Sequence, residues 1–129
     1  MCMPMSRSDK LLACRPSINF DSAKKSTPEE DFQNRVLRPI LKFQNDILIS
    51  IFISLCESYK INFGKLTEAE KEALIDRLFQ KDAKLKALFL GAIISLFTTD
   101  EYEVYASQQS HFNKRITQML VKRLKDQMI

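Results

Sequence analysis

Side chains able to do chemistry are few. His111 is the one histidine among 129 residues, and no Cys or Glu lies three or four positions from it. Catalytic zinc favours a set of histidines, so no metal cluster is expected around it. A nucleophile–histidine pair would need the same residue, and no Gly-x-Ser-x-Gly elbow is present. With glycine only at positions 64 and 91, no glycine-rich phosphate loop can form. The carboxylate pairs Glu29/Glu30 and Asp100/Glu101 stand at helix starts, where capping explains them better than acid–base work. The sequence therefore predicts no catalytic residue, no metal ligand, no cofactor and no enzyme.

Cys2, Cys14 and Cys56 are odd in number and widely spaced, which fits neither a disulfide framework nor a zinc motif. Reduced thiols in a cytoplasmic protein are the simplest account, with Cys56 a small core residue.

Two polar groups stand out. Arg38, Lys42, Gln44, Asn45 and Asp46 surround a proline in a long helical segment. Gln44 lies close to the apolar stripe there and needs a hydrogen-bond partner. Asn113, Lys114 and Arg115, with Lys122 and Lys125, form the second group. At spacings of eight and three, Lys114, Lys122 and Lys125 share one helix face, which could contact phosphates. The helix dipole alone also accounts for cations near a helix C-terminus. No aromatic stacking platform or DNA-binding motif accompanies them.

The elements that must position these groups are helices. Thr27-Pro28-Glu29-Glu30 is a start signal, with Thr27 as cap and Glu30 completing a capping box. Pro39 predicts either a kink near Arg38 or the end of a short helix and the start of a longer one. Ile40, Phe43, Ile47, Leu48, Ile51, Phe52, Leu55 and Tyr59 then follow helical spacing. Ile49 and Ile53 make the midsection apolar on nearly every side, as expected of a helix at the centre of a domain. Asn62-Phe63-Gly64 breaks the chain, and Thr67-Glu68-Ala69-Glu70 opens a short helix carrying Leu74, Ile75, Leu78 and Phe79. Asp82 caps a third, with Leu85, Leu88, Phe89, Ile93 and Leu96 inward. A last helix from Thr98 carries Tyr102, Tyr105, Phe112, Ile116, Met119, Leu120 and Leu124, spaced like a seam that could pack within the chain or serve a dimer.

Composition agrees. The chain is 45% hydrophobic and 28% charged, near ordinary globular values. Two glycines and four prolines argue for few, long elements. The net charge of +4 concentrates at the two ends, which suits polyanions weakly. Residues 1–26 show no helical period and read as a mostly disordered basic tail, parts of which could dock through Leu11, Leu12, Ile18 and Phe20. Leu11-Leu12-Ala13-Cys14 resembles a lipoprotein cleavage site, but Met1 to Lys10 provides no apolar run before it. The longest apolar run, Ile47 to Cys56, is too short to span a bilayer, so no membrane insertion is expected. The expectation is an all-α protein: a compact bundle of about four helices over residues 27–129.

Several segments together resemble a family. They are Arg15-Pro16, Phe32-Gln33-Asn34, Leu37-Arg38-Pro39-Ile40 and Lys42-Phe43-Gln44-Asn45-Asp46. Leu96-Phe97-Thr98 with Glu101-Tyr102 and Tyr105, then Asn113-Lys114-Arg115-Ile116, belong with them. They resemble a group of short, uncharacterised all-α bacterial proteins, some labelled "glyoxalase". The resemblance covers about residues 30–125 and implies a bacterial, cytoplasmic origin. It transfers no catalytic residue, because the label needs either a β-rich metal site or a His-rich motif.

These readings converge on a non-enzymatic interaction or regulatory module with a protein partner, or a second copy of itself. The alternative is a nucleic-acid-associated accessory protein using the basic C-terminal face of Lys114, Arg115, Lys122 and Lys125.

Overall fold

The structure, a computed structural model, describes residues 5–18 and 27–129. It holds six helices among these residues: α1 (Arg7–Cys14), α2 (Pro28–Ser58), α3 (Glu68–Lys81), α4 (Ala83–Ile94), α5 (Thr99–Ser107) and α6 (Gln109–Met128). No strand occurs among them, so the fold is all-α as expected.

Local chemistry sets most helix starts. A helix N-terminus carries unpaired N–H groups, and a side-chain oxygen there satisfies one. Thr27 accepts from the Glu30 N–H, Thr67 from Glu70 and Asp82 from Leu85. Thr67/Glu70 and Thr98/Glu101 form full capping boxes.

At Pro39 the helical run continues, but its α-helical part is interrupted just before it, between a short α segment (Pro28–Phe32) and a longer one (Arg38–Ser58). Gln33–Leu37, ending two residues before the proline, form a π segment, and the Arg38 N–H reaches back to the Gln33 carbonyl. Such a widened turn absorbs the misfit between a proline ring and the preceding helical turn. At the other end, Lys60 adopts a left-handed conformation (φ 58°), two residues before the expected break at Asn62. Its N–H bonds Glu57 O, and Ile61 N–H bonds Cys56 O. That pair of bonds is a Schellman stop, with lysine where glycine is usual.

Two segments differ from the sequence reading. Residues 7–14, within the segment expected to be a tail, form α1, closed by a Ser6/Asp9 capping box. Eight residues with no buried side chain leave no apolar period to detect. Residues 1–4 and 19–26 of that expected tail, Phe20 included, lie outside the described residues. The second difference is the last helix, expected to be continuous from Thr98. It divides at Gln108 (φ −141°, ψ 53°) into α5 and α6. No glycine or proline signals this break. Packing accounts for it: Tyr105 and Phe112, on either side, both enter the core, and the Tyr105 hydroxyl donates to Asn113 Oδ1.

One buried cluster unites α2 to α6. Phe52, Phe89, Ile75, Leu85, Ile93 and Ile116 are among the side chains fully removed from water. An aromatic group closes one end, with Phe32 4.7 Å from Phe112 and 5.7 Å from Phe97 between ring centres. The inter-helix bonds fix directions. Gln44 donates to Ala92 O (2.9 Å), while Tyr59 donates to Asp82, so α2 and α4 run antiparallel. Arg115 bonds Gln33 and Arg123 bonds Asn45, so α2 and α6 run parallel.

The expected seam on the last helix is buried inside the chain at Tyr105, Phe112, Ile116, Leu120 and Leu124, while Tyr102 is half-exposed. The long helix, expected at the centre, is not enclosed. By length and composition α2 could cross a membrane, with mean hydropathy 1.4 over its most apolar window, and 33% of that window is buried.

Candidate functional site

The polar group around Pro39 is divided by the fold. Gln44 turns toward α4 and ties it to α2 through Ala92 O. Asn45 turns toward α6, accepting from Arg123 (3.2 Å) and from Gln127, and donating to Gln127 Oε1 (2.8 Å). Arg38 donates to Asn34 Oδ1 (3.2 Å), one helical turn back. Asp46 is exposed, and Lys42 donates to Ser17 O (3.3 Å) beside α1.

The basic group of α6 is divided as well. Lys114, Lys122 and Lys125 line one broad cleft of about 970 Å³ against α3 and α4, as their spacing predicts. Acids share that cleft: Lys125 pairs with Asp76 (2.9 Å) and Lys122 with Asp126 (2.9 Å), and Glu72 lines it too. Arg115 lies on the other flank, donating to Gln33 Oε1 (2.6 Å).

That other flank holds a second cleft, of about 580 Å³, between α2 and α6. Here the two sequence-derived groups meet. Arg38 from the first and Arg115 and Lys122 from the second line one concavity, joined by Arg123. Asp126 is the single carboxylate in its lining. Burial first, and then the Arg38 charge, push Arg123 below the usual arginine range. Both arginines bond neutral amide oxygens, and the Asp126 charge only partly offsets the lowering at Arg123. Sequence reasoning missed Arg123. Its signal was present, eight residues after Arg115 and one before the core residue Leu124, a position that turns a side chain along the edge of the buried face.

An apolar flank lies on the α4 side of α2. Phe43 (52%), Ile47 (50%) and Leu88 (48%) are half-exposed although all three lie on expected core stripes. Antiparallel packing, with Gln44 at Ala92, brings Ile47 and Leu88 onto neighbouring turns. α1 extends this flank: Leu11 and Cys14 lie with Phe43, Ile40 and Leu96 around a small gap, and Leu12 is 51% exposed.

Two arginines clamp α1 to the α4–α5 corner. Arg7 donates to Phe97 O (2.8 Å) and Ser95 O (2.6 Å). Arg15 donates to Leu96 O (3.3 Å) and grips both oxygens of Glu101. Glu101 also accepts the Thr98 N–H (2.8 Å). Burial alone would raise the Glu101 pKa, but Arg15 and Thr98 outweigh it and hold the carboxyl below its ordinary value.

His111 is exposed, with its ring edge-on to Phe112. Cys14 is an exposed free thiol and Cys56 a buried one, its pKa raised by burial. Among the described residues, no group of three or more His, Cys, Asp or Glu gathers as metal ligands would. No family model, no curated protein and no solved structure matches this chain.

Proposed function

We propose that the chain is a non-enzymatic helical interaction module of the bacterial cytoplasm that docks a protein partner, or a second copy of itself, on the apolar flank of α2 and α4. The observation that carries this reading is the half-exposure of Phe43, Ile47 and Leu88 on adjoining helices. Isolated exposed apolar side chains are ordinary, but a contiguous set marks an interaction surface. Covering what remains exposed of each contributes roughly 1 kcal/mol, about half the transfer energy of a whole side chain. The free Cys14 thiol at the edge of this flank suits a reducing compartment.

The test compares two baits in nuclease-treated host lysate: the natural chain and a Phe43→Ser/Ile47→Ser/Leu88→Ser variant. Light scattering on both reports self-association. A specific partner or a dimer lost in the variant supports the reading. Equal recovery by both baits, with both chains monomeric, removes this flank as the docking surface.

A second reading, a nucleic-acid-associated accessory protein, draws on Lys114, Lys122 and Lys125 along one cleft. It requires binding that falls steeply with salt and disappears on charge reversal of those lysines. The acids paired with Lys122 and Lys125 weigh against it.

A further inference from the structure

We infer that the cleft between α2 and α6 is a binding site for a small phosphorylated ligand, gripped by Arg38, Arg115 and Arg123. This goes beyond the docking reading, uses a different flank of α2, and stands or falls separately.

The argument begins with an imbalance. Four cationic side chains and one carboxylate line the cleft. That carboxylate, Asp126, pairs with Lys122, as Asp76 does with Lys125 on the opposite flank, which leaves the three arginines without a carboxylate bonded to them. Inside the cleft, Arg38 and Arg123 face one another with only Asn34 and Asn45 as acceptors. Neither arginine is fully solvated, and the repulsion between them opposes folding. A bound anion would relieve both costs.

The shape limits the ligand. A concavity of about 580 Å³ falls within the range of small-molecule sites. Guanidinium forks match phosphoryl oxygens in pairs, and three line this cleft. Leu41 and Met119 give the cleft an apolar floor for a short aliphatic body. No aromatic residue lines it, so it offers no platform on which a nucleobase would stack. The π segment supplies a further pointer: Gln33, its first residue, lines the cleft and orients Arg115, and π turns recur at functional sites.

The test is calorimetric titration of the full chain with inorganic phosphate and pyrophosphate, at low salt and at about 0.15 M salt. The expected result is one saturable site, tighter for pyrophosphate. Arg38→Gln and Arg123→Gln should each weaken it by about tenfold or more, since each removes a charge-assisted contact. Lys84→Gln, on α4 away from the cleft, should leave it unchanged. Arg123→Gln keeps a donor for Asn45 and removes the repulsion, so its thermal midpoint without phosphate should equal or exceed that of the natural chain. Asp126→Asn supplies an independent arm: deleting the single carboxylate should tighten pyrophosphate binding. No saturable binding, or an affinity in both arginine variants unchanged from the natural chain, would overturn the proposal. So would tighter binding of a duplex oligonucleotide whose loss follows Lys114 and Lys125 instead of the arginines.

Discussion

Replacing Glu101 by Gln should release α1 while leaving the rest of the bundle folded. The Arg15 and Glu101 side chains are 11% and 16% exposed, so their pairing is shielded from solvent. Gln still completes a capping box, and the start of α5 keeps its cap. What disappears is the charge opposite a nearly buried guanidinium, worth about 1.5–3 kcal/mol as charge-assisted hydrogen bonds. The chain can avoid that loss. α1 buries no residue fully, and side-chain bonds from Arg7 and Arg15 hold it in place. Ordering each of its residues costs about 1–2 kcal/mol of backbone entropy, so its docking is marginal and undocking is the cheaper response. A loss of about 2 kcal/mol corresponds to a roughly thirtyfold rise in local opening. Native-state hydrogen exchange at the amides of residues 10–14 reads this directly, with α6 amides as the reference. Acid should mimic the substitution. The folded pKa of Glu101 lies below its unfolded value. Its contribution is therefore fully present above the unfolded carboxylate pKa of about 4.3, and is lost as pH falls through the folded value. Unchanged exchange in α1, or an equal rise in α1 and α6, would refute this reasoning.

Other outcomes follow from single positions. A Cβ on Gly91 would meet nothing within 4 Å, so no helix contact requires this glycine, and Gly91→Ala should stabilise by about 0.5–1 kcal/mol in a denaturant melt. A loss of stability there would expose a contact the fold does not show. Phe89 is wholly buried, and Phe89→Ala should cost about 3–5 kcal/mol; a much smaller value would mean the core collapses around the gap. Thr98→Ala removes the cap of α5 and should cost about 1 kcal/mol, read as a lower thermal midpoint. Lys60→Gly relieves a left-handed residue and should raise stability by about 0.5–1 kcal/mol; a drop would show that lysine contributes more than its backbone strain costs.

The helices were legible in the sequence because caps and apolar periods are local signals. Thr27, Thr67, Asp82 and Thr98 act where their neighbours require. The division at Gln108 was not legible, since no breaker residue marks it and the cause is burial of Tyr105 and Phe112 on either side. α1 did carry a signal, Ser6 with Asp9 three residues on, but no stripe followed to give it weight. Burial was overread on α2. Periodicity says which residues share a face and is silent on how many neighbours arrive to cover it, so Phe43 and Ile47 counted as core and stand half-exposed. The cleft shows the same limit. Arg38 and Arg115 were each singled out, but only the parallel pairing of α2 with α6 brings them to one place and adds Arg123.

The π segment of α2 also acts as a phase correction. At 3.6 residues per turn, Phe32 and Leu48 would stand about 160° apart on an unbroken α-helix, on opposite sides of the rod. Both are buried against the same core. The widened turn between them inserts, in effect, one surplus residue and rotates everything upstream by about a quarter turn. Two stripes that are out of step in the sequence thereby fall into step in space. Deleting one residue between Gln33 and Leu37 would restore a regular helix and turn Phe32 away from Phe97 and Phe112, undoing the aromatic end of the bundle at no change in composition.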